Sequence, residues 1–148
     1  MDLEPEHLSW KLDRDLTAIS PVAQAVEAHA ASLLGQEGAT AVELALVEAL
    51  TNSIKHGSMD GRITEPLFVK AHSDALSLIV EVFDVVPVIP DGLLEEAGAH
   101  RLEVDISDIP ALAENGRGLS LIVVCVDKVT LRTADDKYVL KLVKYIES

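Results

Sequence analysis

Hydrophobic and polar positions divide the chain into seven stretches. Leu8, Trp10 and Leu12 alternate with polar residues, which predicts a short strand. Ser20-Pro21 then reads as a helix start, with Ser20 able to cap and Pro21 suited to a first turn. Val22, Val26, Ala30 and Leu33 follow at helical spacing, and Gly35 stops the run. Thr40 and Glu43 have the spacing of a capping box, so a second helix is expected there. Its apolar face is Val42, Leu46, Ala49, Leu50 and Ser53, and Gly57 lies where a C-cap is expected.

A hairpin comes next. Leu67, Val69 and Ala71 alternate, His72-Ser73-Asp74 turns the chain, and Leu76, Leu78, Val80 and Val82 alternate again up to Phe83 and Asp84. Residues 87–115 are rich in proline, glycine and acids, and they read as a long, partly helical surface loop of the functional or disordered kind. Residues 119–126 are strongly apolar, and Ile122-Val123-Val124 favours a strand by propensity. Strands at 128–133 and 138–145, around Ala134-Asp135-Asp136-Lys137, close the chain. The order predicts an α+β fold, an antiparallel or mixed sheet with helices on one face.

Composition narrows the picture. The chain has 148 residues, enough for one domain with a real core, and its five aromatics leave that core to aliphatic side chains. A formal charge of −13 argues against non-specific nucleic-acid binding and against anionic membrane surfaces. It leaves room for a nucleotide held locally and for a basic protein partner. Cys125 is the single cysteine, so neither an internal disulfide nor a cysteine-based zinc site is expected. It reads as a small buried hydrophobe. The acids Asp2, Glu4 and Glu6 have the wrong sign for a signal peptide, and no apolar run reaches membrane-spanning length. A soluble, cytoplasmic protein is expected.

Three places concentrate polar chemistry. Glu48, Asn52 and His56 recur every fourth residue along the second helix, on one stripe beside its apolar face. Read alone, that stripe is an ordinary solvated helix face. Asp84 closes a hydrophobic strand, where a carboxylate can accept from an exocyclic amine such as that of adenine. Gly116-Arg117-Gly118 precedes the apolar element, and a helix there would offer free N–H groups to phosphate. A lone Gly-x-Gly carries little information. The order Glu-x-x-x-Asn, strand-end Asp, long loop, Gly-x-Gly-Leu carries much more.

In that order the chain resembles the GHKL, or Bergerat-fold, ATP-binding superfamily, and within it the bacterial anti-sigma factor serine-protein kinases. Glu43-Leu-Ala-Leu-Val-Glu-Ala-Leu-Thr-Asn-Ser-Ile-Lys-His-Gly57 resembles the family's N-box, Val82-Phe83-Asp84 the start of its first glycine box, and Asn115-Gly-Arg-Gly-Leu-Ser-Leu-Ile122 with Asp127-Lys-Val-Thr-Leu131 its second. The likeness spans about residues 8–144. It implies a two-layer α+β sandwich in a single domain, 1–148, with a mixed, mostly antiparallel sheet and an ATP lid at about 87–115. It also implies a helix at 119–126, against the propensity reading.

The resemblance implies roles as well. Asn52 would hold Mg²⁺ through its side-chain oxygen, and Glu48 would be the general base toward a partner's serine hydroxyl. Asp84 would read adenine. Gly116 and Gly118 would approach the phosphates of ATP, with Leu119 opening the helix behind them. Arg117 and Lys55 would offset phosphate charge or be plain solvated cations, and His56 would orient or pack. The implied partners are an anti-anti-sigma protein bearing the target serine, a sigma factor and a second copy of the chain; independently of the resemblance, the short terminal strand at 8–12 reads as a sheet edge open to pairing with such a copy. Two departures stand out: Val86 occupies a glycine position of the first box, and Asp136-Lys137-Tyr138 replaces a Gly-Thr before the last strand. A binding module that sequesters a partner without catalysis is therefore the second reading. A detached histidine-kinase catalytic domain is the third, ranked lower because no helical phosphoacceptor region precedes this one.

Overall fold

The computed structural model describes residues 7–60, 65–85, 103–105, 117–134 and 136–146. Its elements are β1 (His7–Leu12), a single 3-10 turn (Leu16–Ala18), α1 (Ile19–Asp60), β2 (Leu67–Ser73), β3 (Ser77–Asp84), β4 (Glu103–Asp105), α2 (Arg117–Cys125), β5 (Lys128–Ala134) and β6 (Lys137–Tyr145). The six strands form one sheet in the order β1-β2-β3-β6-β5-β4. Every described pairing is antiparallel, so the mixed sheet expected from the resemblance is in this part purely antiparallel.

Register assigns each side chain to a face, because partners directly opposite share one. One row runs Trp10, Val69, Val82, Leu140, Leu131 across five strands. The next is Leu8, Ala71, Val80, Leu142, Val129. Most of these are fully buried, and they join Val42, Leu46, Ala49 and Leu50 of α1 and Ile122 of α2 in one core. Both helices therefore cover the same face, giving the expected α+β arrangement. The row on the other side of Trp10, made of Lys11, Phe68, Phe83, Val139 and Arg132, faces the other way. There Lys70 lies 5.0 Å from the Phe83 ring centre and Lys137 4.7 Å from that of Phe68. Each contact is worth about 0.5–1 kcal/mol at an exposed site. Arg132 Nη2 donates to Glu81 at 3.0 Å on the same face.

The helix boundaries differ from expectation in an instructive way. The two expected helices are one continuous element with a kink at Gly35, where φ is 80° and ψ is 172°. That conformation is nearly glycine-only. The helix resumes at once, so Thr40 lies inside it, accepting from Gln36 Nε2 at 3.1 Å rather than capping a backbone amide. Gly38 is needed for a second reason: a Cβ there would sit 2.8 Å from that of Leu34. Gly57 does not end the helix, which continues to Asp60. At the other end α1 begins at Ile19, so Ser20 lies inside its first turn; Asp15 caps the 3-10 turn that leads into the helix, its Oδ1 accepting from the Thr17 amide at 2.9 Å. The apolar stretch after Gly116 is a helix, against β-propensity. Within the expected lid, three residues form β4, which pairs with β5; the rest of that stretch lies outside the described residues.

Asp74 closes the β2–β3 hairpin by accepting from the amides of Leu76 and Ser77, each at 2.8 Å. Those bonds hold its carboxyl below the usual carboxylate range. A depressed folded-state pKa gives stability that is present above the unfolded pKa and lost as pH falls through the folded one. Asp74→Ala should therefore lower the melting temperature at neutral pH, with the deficit shrinking as the pH falls below the ordinary carboxylate range. Gly35→Ala should cost about 1–3 kcal/mol in urea unfolding, through backbone strain, since among the described residues nothing lies within 4 Å of the added methyl.

Candidate functional site

The second arm of α1 turns its apolar stripe fully inward: Val42, Ala45, Leu46, Ala49, Leu50 and Ile54 are at most 3% exposed. Glu48 and Asn52 lie at the border of that stripe, each half-buried. They stand one turn apart on the same face, as their spacing implies. Ser53, the next residue, is fully buried, and among the described residues its hydroxyl has no hydrogen-bond partner.

Asp84 is the last residue of β3, opposite Tyr138 and one position beyond the Phe68–Phe83 pair, in line with Leu12 and Leu67. That line alternates with the outward row, so the carboxylate faces the helices and is 1% exposed. A buried carboxylate needs a partner, and Arg14 supplies it. Arg14 sits in the turn after β1. Its Nη2 donates to Asp84 Oδ1 and its Nη1 to Oδ2 at 3.4 Å. The same Nη1 donates to the Ser53 carbonyl at 2.9 Å, and Nε to the Glu65 carbonyl at 3.3 Å. Asp84 Oδ1 also accepts from the Val85 amide at 2.7 Å. One guanidinium thus ties the helix turn carrying Asn52 and Ser53 to the strand end carrying Asp84.

The other anticipated residues fall as follows. Lys55 is exposed and lines a groove of about 550 Å³ between the two arms of α1, with Leu16, Ile19, Glu43 and Val47. Burial raises the Glu43 carboxyl, with further help from the charge of Glu27 and a hydrogen bond to it. Arg117, Gly118 and Leu119 form the first turn of α2, which packs on α1 and β5. Gly116, Val86 and the side chain of His56 lie outside the described residues. Cys125 is half-buried, and desolvation raises its thiol, which fits a packing role. Sequence reasoning missed Arg14. Its only local signal is a lone cation between Asp13 and Asp15.

The donor set fits a nucleotide with Mg²⁺. Among the described residues no three His, Cys, Asp or Glu side chains cluster to hold a metal by themselves. An amide oxygen such as that of Asn52 suits an ion that keeps waters and phosphate oxygens for its other positions. The Asp84 carboxylate, which shares the Arg14 donor with the Ser53 carbonyl, is the kind of acceptor that a base carrying an amine needs.

A family model described as a histidine kinase-like ATPase domain matches residues 12–144. No curated protein matches the chain. The chain belongs to the histidine kinase-like ATPase family, and so to the GHKL superfamily. Among the described residues no helix is long and apolar enough to cross a membrane.

Breaking the buried pair should be costly. Asp84→Ala leaves the Arg14 guanidinium, 5% exposed, without its counter-charge and should destabilise the fold by roughly 3–5 kcal/mol in urea unfolding. Glu81→Ala, which frees the more exposed Arg132, should cost about 1 kcal/mol or less.

Proposed function

We propose that this chain is an ATP-dependent serine/threonine protein kinase that acts as an anti-sigma factor and phosphorylates an anti-anti-sigma partner. The observation that carries the reading is the convergence of the Asn52–Ser53 turn and Asp84 on one guanidinium, that of Arg14. Family membership supports ATP as the phosphoryl donor.

Each residue has a role in this scheme. Asp84 accepts from the exocyclic amine of adenine. Asn52 offers its side-chain oxygen to Mg²⁺, which, when bound, neutralises phosphate charge. Glu48, one turn away and half-buried, takes the proton from the partner's hydroxyl. Gly116 and Gly118 let the backbone approach the phosphates, and the first turn of α2 turns free N–H groups toward them. Arg117 and Lys55 add positive charge nearby. His56 orients or packs. Catalysis of this kind rests on positioning and charge neutralisation rather than on covalent chemistry by the protein. The phosphorylated partner gains about 1.5–2 negative charges, which changes its complex with the anti-sigma factor. A sigma factor is the second partner, and β1, at an edge of the sheet, is the surface through which a second copy would add.

Two observations favour a second reading, a module that binds a partner with little or no nucleotide. Asp84 is already engaged by Arg14, and Val86 replaces a glycine of the first box. Calorimetric titration of ATP with and without Mg²⁺ separates the two. Binding that needs Mg²⁺ and weakens in Asn52→Ala is the expected result. Absence of binding at millimolar nucleotide would support the second reading. Glu48→Gln should keep ATP affinity but lower phosphoryl transfer to a serine-bearing partner by about 10²–10⁴-fold, read with γ-labelled ATP.

A further inference from the structure

The adenine-reading carboxylate is not free to read. A carboxylate offers about four lone-pair directions. Asp84 Oδ1 accepts from Arg14 Nη2 and from the Val85 amide. Oδ2 accepts from Arg14 Nη1. The side chains of Arg14 and Asp84 are 5% and 1% exposed, so the guanidinium also shields the carboxylate from solvent. An incoming amine finds one oxygen filled and the other covered.

The grip is uneven. The Nη1–Oδ2 contact is 3.4 Å and the Nε–Glu65 carbonyl contact 3.3 Å, both long for a charged donor. Two of the four acceptors, the carbonyls of Ser53 and Glu65, belong to backbone that the guanidinium could keep while releasing the carboxylate. Arg14 itself stands in the turn between exposed Asp13 and Asp15, outside any helix or strand. It is therefore placed to move without unpairing β1 or α1.

We propose that Arg14 is a latch on Asp84: an adenine nucleotide binds by displacing the guanidinium from the carboxylate, so Arg14 sets nucleotide affinity. The proposal rests on Asp84 as the adenine reader. Arg14 is a positioning residue, since it acts through Asp84 and touches no reacting atom. Lysine at this position keeps the positive charge but lacks the planar fork that covers both oxygens. Weakening the latch should help only a ligand that donates to Asp84. Adenine carries an amine at its sixth position; hypoxanthine carries a carbonyl there and cannot donate in the same place.

The test is calorimetric titration of ADP and of inosine diphosphate into wild type, Arg14→Lys and Arg14→Gln, with thermal melts to confirm folding. The latch requires ADP affinity to rise by about tenfold or more in the variants while inosine diphosphate affinity stays unchanged. If Arg14→Gln does not fold, Arg14→Lys, which retains a cation against Asp84, decides. Equal ADP affinity in wild type and a folded variant overturns the latch and leaves the nucleotide reading standing. A parallel rise for both nucleotides also overturns it, because general loosening and not competition for Asp84 would then be at work. If ADP binds to none of the three proteins, the latch and the nucleotide reading fall together.

Discussion

The arrangement turns on one desolvated ion pair. A carboxylate and a guanidinium out of water cost several kcal/mol each unless they are mutually paired and their remaining hydrogen-bonding capacity is met. Arg14 and Asp84 meet that condition only when three parts of the chain are in place: the turn after β1, the Ser53 turn of α1 and the end of β3. The register of β3 is equally binding. A slip of one residue would turn Phe83 to the helices and Asp84 to the opposite face. The packing of the central strands and the polar site are therefore one constraint seen from two sides.

Much of this was legible in the sequence because it is local. The alternation of Leu67, Val69 and Ala71 in β2 and of Leu78, Val80 and Val82 in β3 needs only a few neighbouring residues to be recognised, and the inward face of α1 follows from its spacing. The failures are where a distant contact or a single backbone angle decides. Ile122-Val123-Val124 favours extended chain by propensity, yet Ile122 and Val126 are buried four residues apart and Val124 is 80% exposed, the pattern of a helix lying on the core. Thr40 and Glu43 have a capping box's spacing, but one glycine conformation at Gly35 bends the helix without ending it, so there are no orphan amides at Thr40 to cap. β4 is too short for alternation to register.

The same distinction runs through the site. Glu48 and Asn52 announce themselves by spacing on one helix, and Asp84 by closing an apolar strand. Arg14 does not, because its partner is 70 residues away and neither flanking segment hints at the pairing. Nor does the site's rigidity show in the motif. Ser53 and Ile54 belong to the core, while Asn52 beside them borders the site. The Asn52 amide thus sits on a helix turn that cannot shift without disturbing close-packed aliphatic side chains.

The strand order also carries a kinetic consequence. The β2–β3 and β5–β6 hairpins join neighbours in sequence, so each closes a short loop and can zip early. The seams β1–β2 and β3–β6 are different: the first waits on the whole of α1, and the second on everything between Asp84 and Tyr138. Loop closure of that size must be achieved before any contact across the seam rewards it, which places these two pairings at the rate-limiting end of folding. Asp84 lies on the second seam, facing Tyr138. The two hairpins can thus exist as separate, strand-edged pieces before the site does, and chain that stalls at that stage exposes the unpaired edges of β3 and β6 to other molecules.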